Sequence, residues 1–146
     1  MLDFLKDHGQ KTKHNYTKNL YVSQILPPPT MKAIPVVAEY VKLSQEHPPA
    51  IPADISKGEV IKPISIGGLE GFIDAKVFVE ILKRSKQPFT PAGFYEVAEN
   101  NFSLDLGLEH PLQFSKTSHQ GLHQVWMTEV VNQQYVTAHD PQSKKK

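Results

Sequence analysis

Between Gly67-Gly68 and Arg84, the side chains of Leu69, Phe72, Ile73, Val77 and Ile81 recur at the spacing of an α-helix and draw a broad apolar face. A helix patterned this way is stable only when other elements cover that face, so the rest of the chain has to supply a layer for it to lie on.

Several segments are suited to that layer. Leu20–Leu26 is rich in strand formers and predicts a strand that leaves its sheet at Pro27, because Pro27-Pro28-Pro29 offers no ladder donors. Val36, Val37, Tyr40, Val41 and Leu43 predict an amphipathic helix from Ile34 to Glu46, with Pro35 suited to its first turn. Thr90-Pro91 reads as an N-cap followed by proline at the first helical position, and the helix it opens ends near Asn100-Asn101. Short apolar segments at Leu104–Leu108, Leu112–Ser115 and Val125–Val131 predict strands joined by loops. Residues 2–8 predict one or two helical turns within a weakly structured start over 1–19, with loop from Gly9 onward. His47-Pro48-Pro49-Ala50-Ile51-Pro52 opens a stiff, irregular connector, and residues 141–146 form a frayed tail without function.

With 39% hydrophobic residues in 146, the chain suits one globular α/β body with a polar surface. Sixteen basic and fifteen acidic residues leave a net charge of +1, which gives no field for gripping nucleic acid or an anionic bilayer. The absence of cysteine excludes thiolate chemistry and cysteine-ligated zinc, and fits a reducing compartment or a disulfide-free periplasmic one. The start, Met1-Leu2-Asp3-Phe4-Leu5-Lys6-Asp7-His8, carries charges where a secretory signal needs an apolar run.

No motif predicts catalysis, a cofactor or a metal. His119 and His123 are four apart, but Gly121 between them argues against a shared helix face, and they read as polar loop residues. No serine sits in a nucleophile elbow to pair with a histidine. Glu70 and Asp74 lie one helical turn apart, a spacing commonplace on helix surfaces. Gly67-Gly68-x-x-Gly71 lacks a P-loop lysine and fits close backbone approach to a small carboxylate better than nucleotide binding. Trp126 is read as a buried or interface indole.

Three segments occur in a telling order. Tyr21-Val22-Ser23-Gln24-Ile25-Leu26-Pro27 precedes the Pro35–Glu46 helix, Leu69-Glu70-Gly71-Phe72-Ile73-Asp74-Ala75-Lys76 follows it, and Phe114-Ser115 with His119-Gln120-Gly121 comes last. Together they resemble the type I periplasmic binding proteins, specifically the branched-chain amino-acid and amide group, from about Leu20 onward.

That resemblance implies an α/β fold class, a partial periplasmic-binding-protein-like lobe with three main helices and several short strands, forming the C-terminal part of a longer bilobed receptor. It implies hinge residues at Gln24, Pro27 and Ser115, where the chain crosses between lobes. It implies a cleft wall at Leu69, Glu70 and Phe72, with Leu69 turned to the cleft more than Phe72, and a polar contact from Ser65. Phe72 is read equally as cleft wall and as core. The implied activity is transport without catalysis: capture of an amino acid or amide outside the cytoplasm, with handover to the permease subunits of an ABC importer. The same module also serves as a ligand sensor in signalling receptors. The upstream portion of such a protein holds most of the groups that grip a solute, and exposed lobe surface invites a homodimer.

Overall fold

The computed structural model describes residues 2–48, 50, 63–132 and 134–138. In chain order the described elements are α1 (Leu2–Thr12), β1 (Tyr21–Gln24), α2 (Pro35–Glu46), α3 (Ile66–Arg84), α4 (Pro91–Glu99), β2 (Phe102–Leu104), β3 (Leu112–Phe114), β4 (Trp126–Val131) and β5 (Gln134–Thr137). Most of the proline-rich connector expected after residue 47, and the tail expected at 141–146, lie outside the described residues.

Antiparallel pairing builds two small sheets. One has the order β1-β4-β5, with Tyr21 opposite Glu129 and Gln24 opposite Trp126; the other pairs β2 with β3, Phe102 opposite Phe114. Thr128 is fully buried in the three-stranded sheet, where its hydroxyl donates to the Val22 carbonyl at 2.8 Å and so satisfies its polar atom.

The core joins α2, α3 and the smaller sheet. Val36, Val37, Tyr40 and Val41 of α2 meet Leu69, Ile73, Val77 and Ile81 of α3, and Phe102, Leu106, Leu108 and Leu112 close the cluster. The α3 residues fall every fourth position, so they form one stripe that points inward along the whole helix. Phe94, Val97 and Ala98 bring α4 against the same core.

The helix ends follow local chemistry. Thr90 accepts from the Gly93 amide at 3.1 Å and Pro91 opens α4, as the sequence predicts. Helix α3 begins three residues earlier than its apolar stripe: Ser65 is the N-cap, accepting from the Gly68 amide at 3.0 Å, and both glycines lie inside the first turn. Helix α1 also runs further than expected, through Gly9 to Thr12, although none of its residues is buried. Gly9 is admissible there because the chain folds back over it: the His14 amide donates to the Gly9 carbonyl at 3.0 Å, and a Cβ on Gly9 would collide with the His14 carbonyl oxygen.

Two strand expectations are corrected. The run Leu104–Leu108 is a strand only up to Leu104; Asp105 then accepts from the Gly107 amide at 2.8 Å and turns the chain, with Gly107 at φ 71°. Strand β5, four residues long, has no counterpart among the expected strands.

Gly68 fixes the distance between α2 and α3. The Tyr40 hydroxyl lies where a Cβ on residue 68 would stand. Gly68→Ala is therefore expected to lower stability by about 1–3 kcal/mol, the usual cost of overpacking, despite alanine's better helix propensity. Urea denaturation checks this; an unchanged or raised midpoint would contradict the close approach.

Candidate functional site

The start of α3 gathers most of the residues that the resemblance implies for solute contact. Ser65 occupies the N-cap, and its backbone amide donates to the Tyr40 hydroxyl at 3.1 Å, which in turn donates to the Pro63 carbonyl at 3.5 Å. Tyr40 is itself buried in the core, so this network ties the entry of α3 to α2. The Ser65 oxygen is engaged as a cap acceptor, and among the described residues its O–H proton has no acceptor. Beyond it, Cβ positions built on Gly67 and Gly71 meet nothing within 4 Å among the described residues.

The other residues divide by direction. Glu70 is exposed on the outer face. Phe72 is half-buried; its ring lies 5.8 Å from that of Tyr40 and 5.5 Å from the Lys76 ammonium, which is held by both Glu39 carboxylate oxygens at 2.9 and 2.8 Å. Leu69 is fully buried in the core. Of the two, Leu69, expected to face the cleft more than Phe72, is the buried one. The reason is the stripe it shares with Ile73, Val77 and Ile81.

The three residues expected at crossings lie on the two chain passages between the three-stranded sheet and the helical layer. Gln24 ends β1 opposite Trp126, and Pro27 follows it, fully buried beside Pro28. Ser115 lies at the start of the return passage, where its amide donates to the Ser118 carbonyl at 2.9 Å in a tight turn. Trp126 is half-buried and packs against the core, in agreement with its reading as a structural indole.

A separate cavity of about 750 Å³ lies along this return passage, lined by Gln113, Ser118, His123 and Gln124 among others. Its lining includes none of Ser65, Glu70 and Phe72. His119 points elsewhere, with Nε2 at 3.2 Å from a Glu99 carboxylate oxygen, so the two loop histidines do not converge. Among the described residues, no three His, Asp or Glu side chains gather as a metal site, and no helix is long and apolar enough to cross a membrane.

No family model and no curated protein matches the sequence. Among solved structures, a possible leucine/isoleucine/valine-binding protein from Rhodopirellula baltica SH 1 superposes on 82% of this chain with a TM-score of 0.67 and 21% sequence identity. The chain carries part of that fold. It spans 29% of that protein's length. The likeness is one of architecture, and it agrees with the partial periplasmic-binding-protein-like lobe expected from the ordered segments.

Proposed function

We propose that these residues belong to an extracytoplasmic solute-binding component of an ABC importer, taking a branched-chain amino acid or a related small amide. The observation that supports this reading most is the fold shared with a possible leucine/isoleucine/valine-binding protein. On this reading the α3 entry forms one wall of the cleft. The Ser65 O–H and the open amide end of the helix face the solute's carboxylate, a placement favoured by the partial positive charge of a helix N-terminus. Phe72 offers an apolar edge to the solute's side chain, and Glu70 stands at the rim.

Closure then uses the two passages at Gln24–Pro27 and Ser115. On this reading the chain crosses between lobes at both, and the buried Pro27-Pro28 pair stiffens the first of them. A solute drives closure only so far as it binds the closed form better, and the closed form is what the permease subunits receive.

The test is thermal unfolding of the bilobed assembly containing this segment, against a panel of leucine, isoleucine, valine and small amides. A cognate solute at a hundred times its Kd adds about 2.7 kcal/mol of stability and raises Tm accordingly. Ser65→Ala is expected to cost about 1 kcal/mol through the lost cap and, in addition, to reduce the solute-induced shift. A panel that leaves Tm unmoved sinks the reading; a Ser65→Ala shift equal to the parent's removes Ser65 from the site.

A further inference from the structure

Two passages join the three-stranded sheet to the helical layer, and hydrogen bonds mark where on each of them the chain changes layer. On the return passage, Ser115 and Ser118 bond to each other at 2.9 and 3.2 Å in a turn that continues β3. Past the turn, the Gln113 amide donates to the Gly121 carbonyl at 3.0 Å, and a Cβ on Gly121 would stand 2.9 Å from Leu112 and 3.0 Å from Phe114, so the chain lies directly on β3 there. His119 Nε2, 3.2 Å from a Glu99 carboxylate oxygen, ties the stretch to α4, and the Gln124 side-chain amide, donating to the Glu109 carboxylate, ties it to the segment before β3. Leu122, between them, packs against the core. Residues 115–124 are thus fastened to the helical layer at both ends and in the middle.

Val125 follows, and Trp126 is already sheet, opening β4 opposite Gln24. The outbound passage is as abrupt. Gln24 is the last residue of β1, while Leu26 lies in the core beside α2 and α3, and Pro27 and Pro28 after it are fully buried. Each passage therefore changes layer at one residue, Ile25 going out and Val125 coming back. The register sets these two side by side. The Val130 amide donates to the Leu20 carbonyl, and alternation from that pair makes the step past Gln24 and Trp126 a non-hydrogen-bonded one, where no ladder bond ties the strands and facing Cα atoms stand about 4.5 Å apart. Away from this step, the Thr30 hydroxyl donates to the Tyr135 carbonyl of β5 at 3.3 Å, a bond between the layers that any turn about the step strains.

We propose that Ile25 and Val125 are the pivot about which the helical layer turns against the three-stranded sheet, and that Ser115 moves with the helical layer as one body through Gln124. Hinge motion is absorbed by a few residues at element ends, and these two are the ends of β1 and β4. The pivot rests on the closure reading above for its purpose and moves the return crossing from Ser115 to Val125. The motion itself belongs to the chain and is measured without solute, so it can fail while the solute panel succeeds, and the reverse.

Backbone amide residual dipolar couplings of the chain in a weakly aligning medium test it. Couplings from β1, β4 and β5 and those from α2, α3 and α4 are expected to need two different alignment tensors, with residues 118–124 fitting the helical one. Thr30→Val, which removes the bond to Tyr135 at nearly constant shape, is expected to widen the difference. Ile25→Cys with Val125→Cys, in a chain that has no cysteine of its own, is expected to oxidise to a disulfide and to keep two tensors, because a link on the axis leaves the turn free. One tensor fitting both layers of the parent chain, residues 118–124 following the sheet, or a cysteine pair that stays reduced under oxidant would each overturn the proposal.

Discussion

Leu69→Ala is expected to lower the free energy of unfolding by about 2–5 kcal/mol, the range for truncating a large aliphatic side chain in a packed core. Leu69 is fully buried and stands first in the stripe that continues through Ile73, Val77 and Ile81. Its loss leaves a void beside Val36, Val37 and Tyr40, which the Ser65–Tyr40–Pro63 hydrogen bonds hinder from collapsing. Urea denaturation gives the size of the effect. Phe72→Ala is the informative companion, because Phe72 is half-buried, its ring 5.8 Å from that of Tyr40. It should cost less stability than Leu69→Ala. The reverse ranking would return Leu69 to the surface and contradict the core described here.

The same stripe shows how much of the molecule was legible in the sequence. Residues 69, 73, 77 and 81 already state which face of α3 is inward, Leu69 included. The boundaries of α2 and α4 were equally plain, since Pro35 and Thr90-Pro91 are start signals with a mechanism. The early start of α3 was not, because two successive glycines read as a break. They are tolerated because Ser65 caps the turn and because Tyr40 occupies the space a side chain on residue 68 would need.

Other misreadings share one physical origin, contacts made far along the chain. Leu104, Leu106 and Leu108 alternate as strand residues do, yet Leu106 and Leu108 reach the core from a turn. Strand β5 is only four residues long, too short to show a pattern, and it pairs with β4, Glu129 opposite Val136. Of the candidate site, the positions of Ser65, Glu70 and Phe72 near one helix start follow from their spacing alone. The hydrogen bonding that commits Ser65 and Tyr40 to the helix entry does not, because it joins residues 25 positions apart.

The turn at Gly107 yields the second large effect. Its φ of 71° lies in the left-handed region, where a side chain costs about 1–2 kcal/mol. A Cβ there would also stand 2.5 Å from the Cδ and Cγ of Pro35, a rigid ring that cannot rotate aside. Pro35 opens α2, and the Val36 amide just after it donates to the Leu106 carbonyl at 3.3 Å, so relieving the overlap pulls on the start of the helix and on the core residues that follow. Overpacking of this kind adds about 1–3 kcal/mol, and Gly107→Ala is expected to lose roughly 2–5 kcal/mol in all. Gly71→Ala is the matched control. Residue 71 lies inside α3, a Cβ there meets open space, and alanine should gain about 1 kcal/mol from helix propensity. Chemical denaturation of the two variants is therefore expected to move the midpoint in opposite directions; a Gly107→Ala midpoint equal to the parent's would mean that the turn does not brace α2.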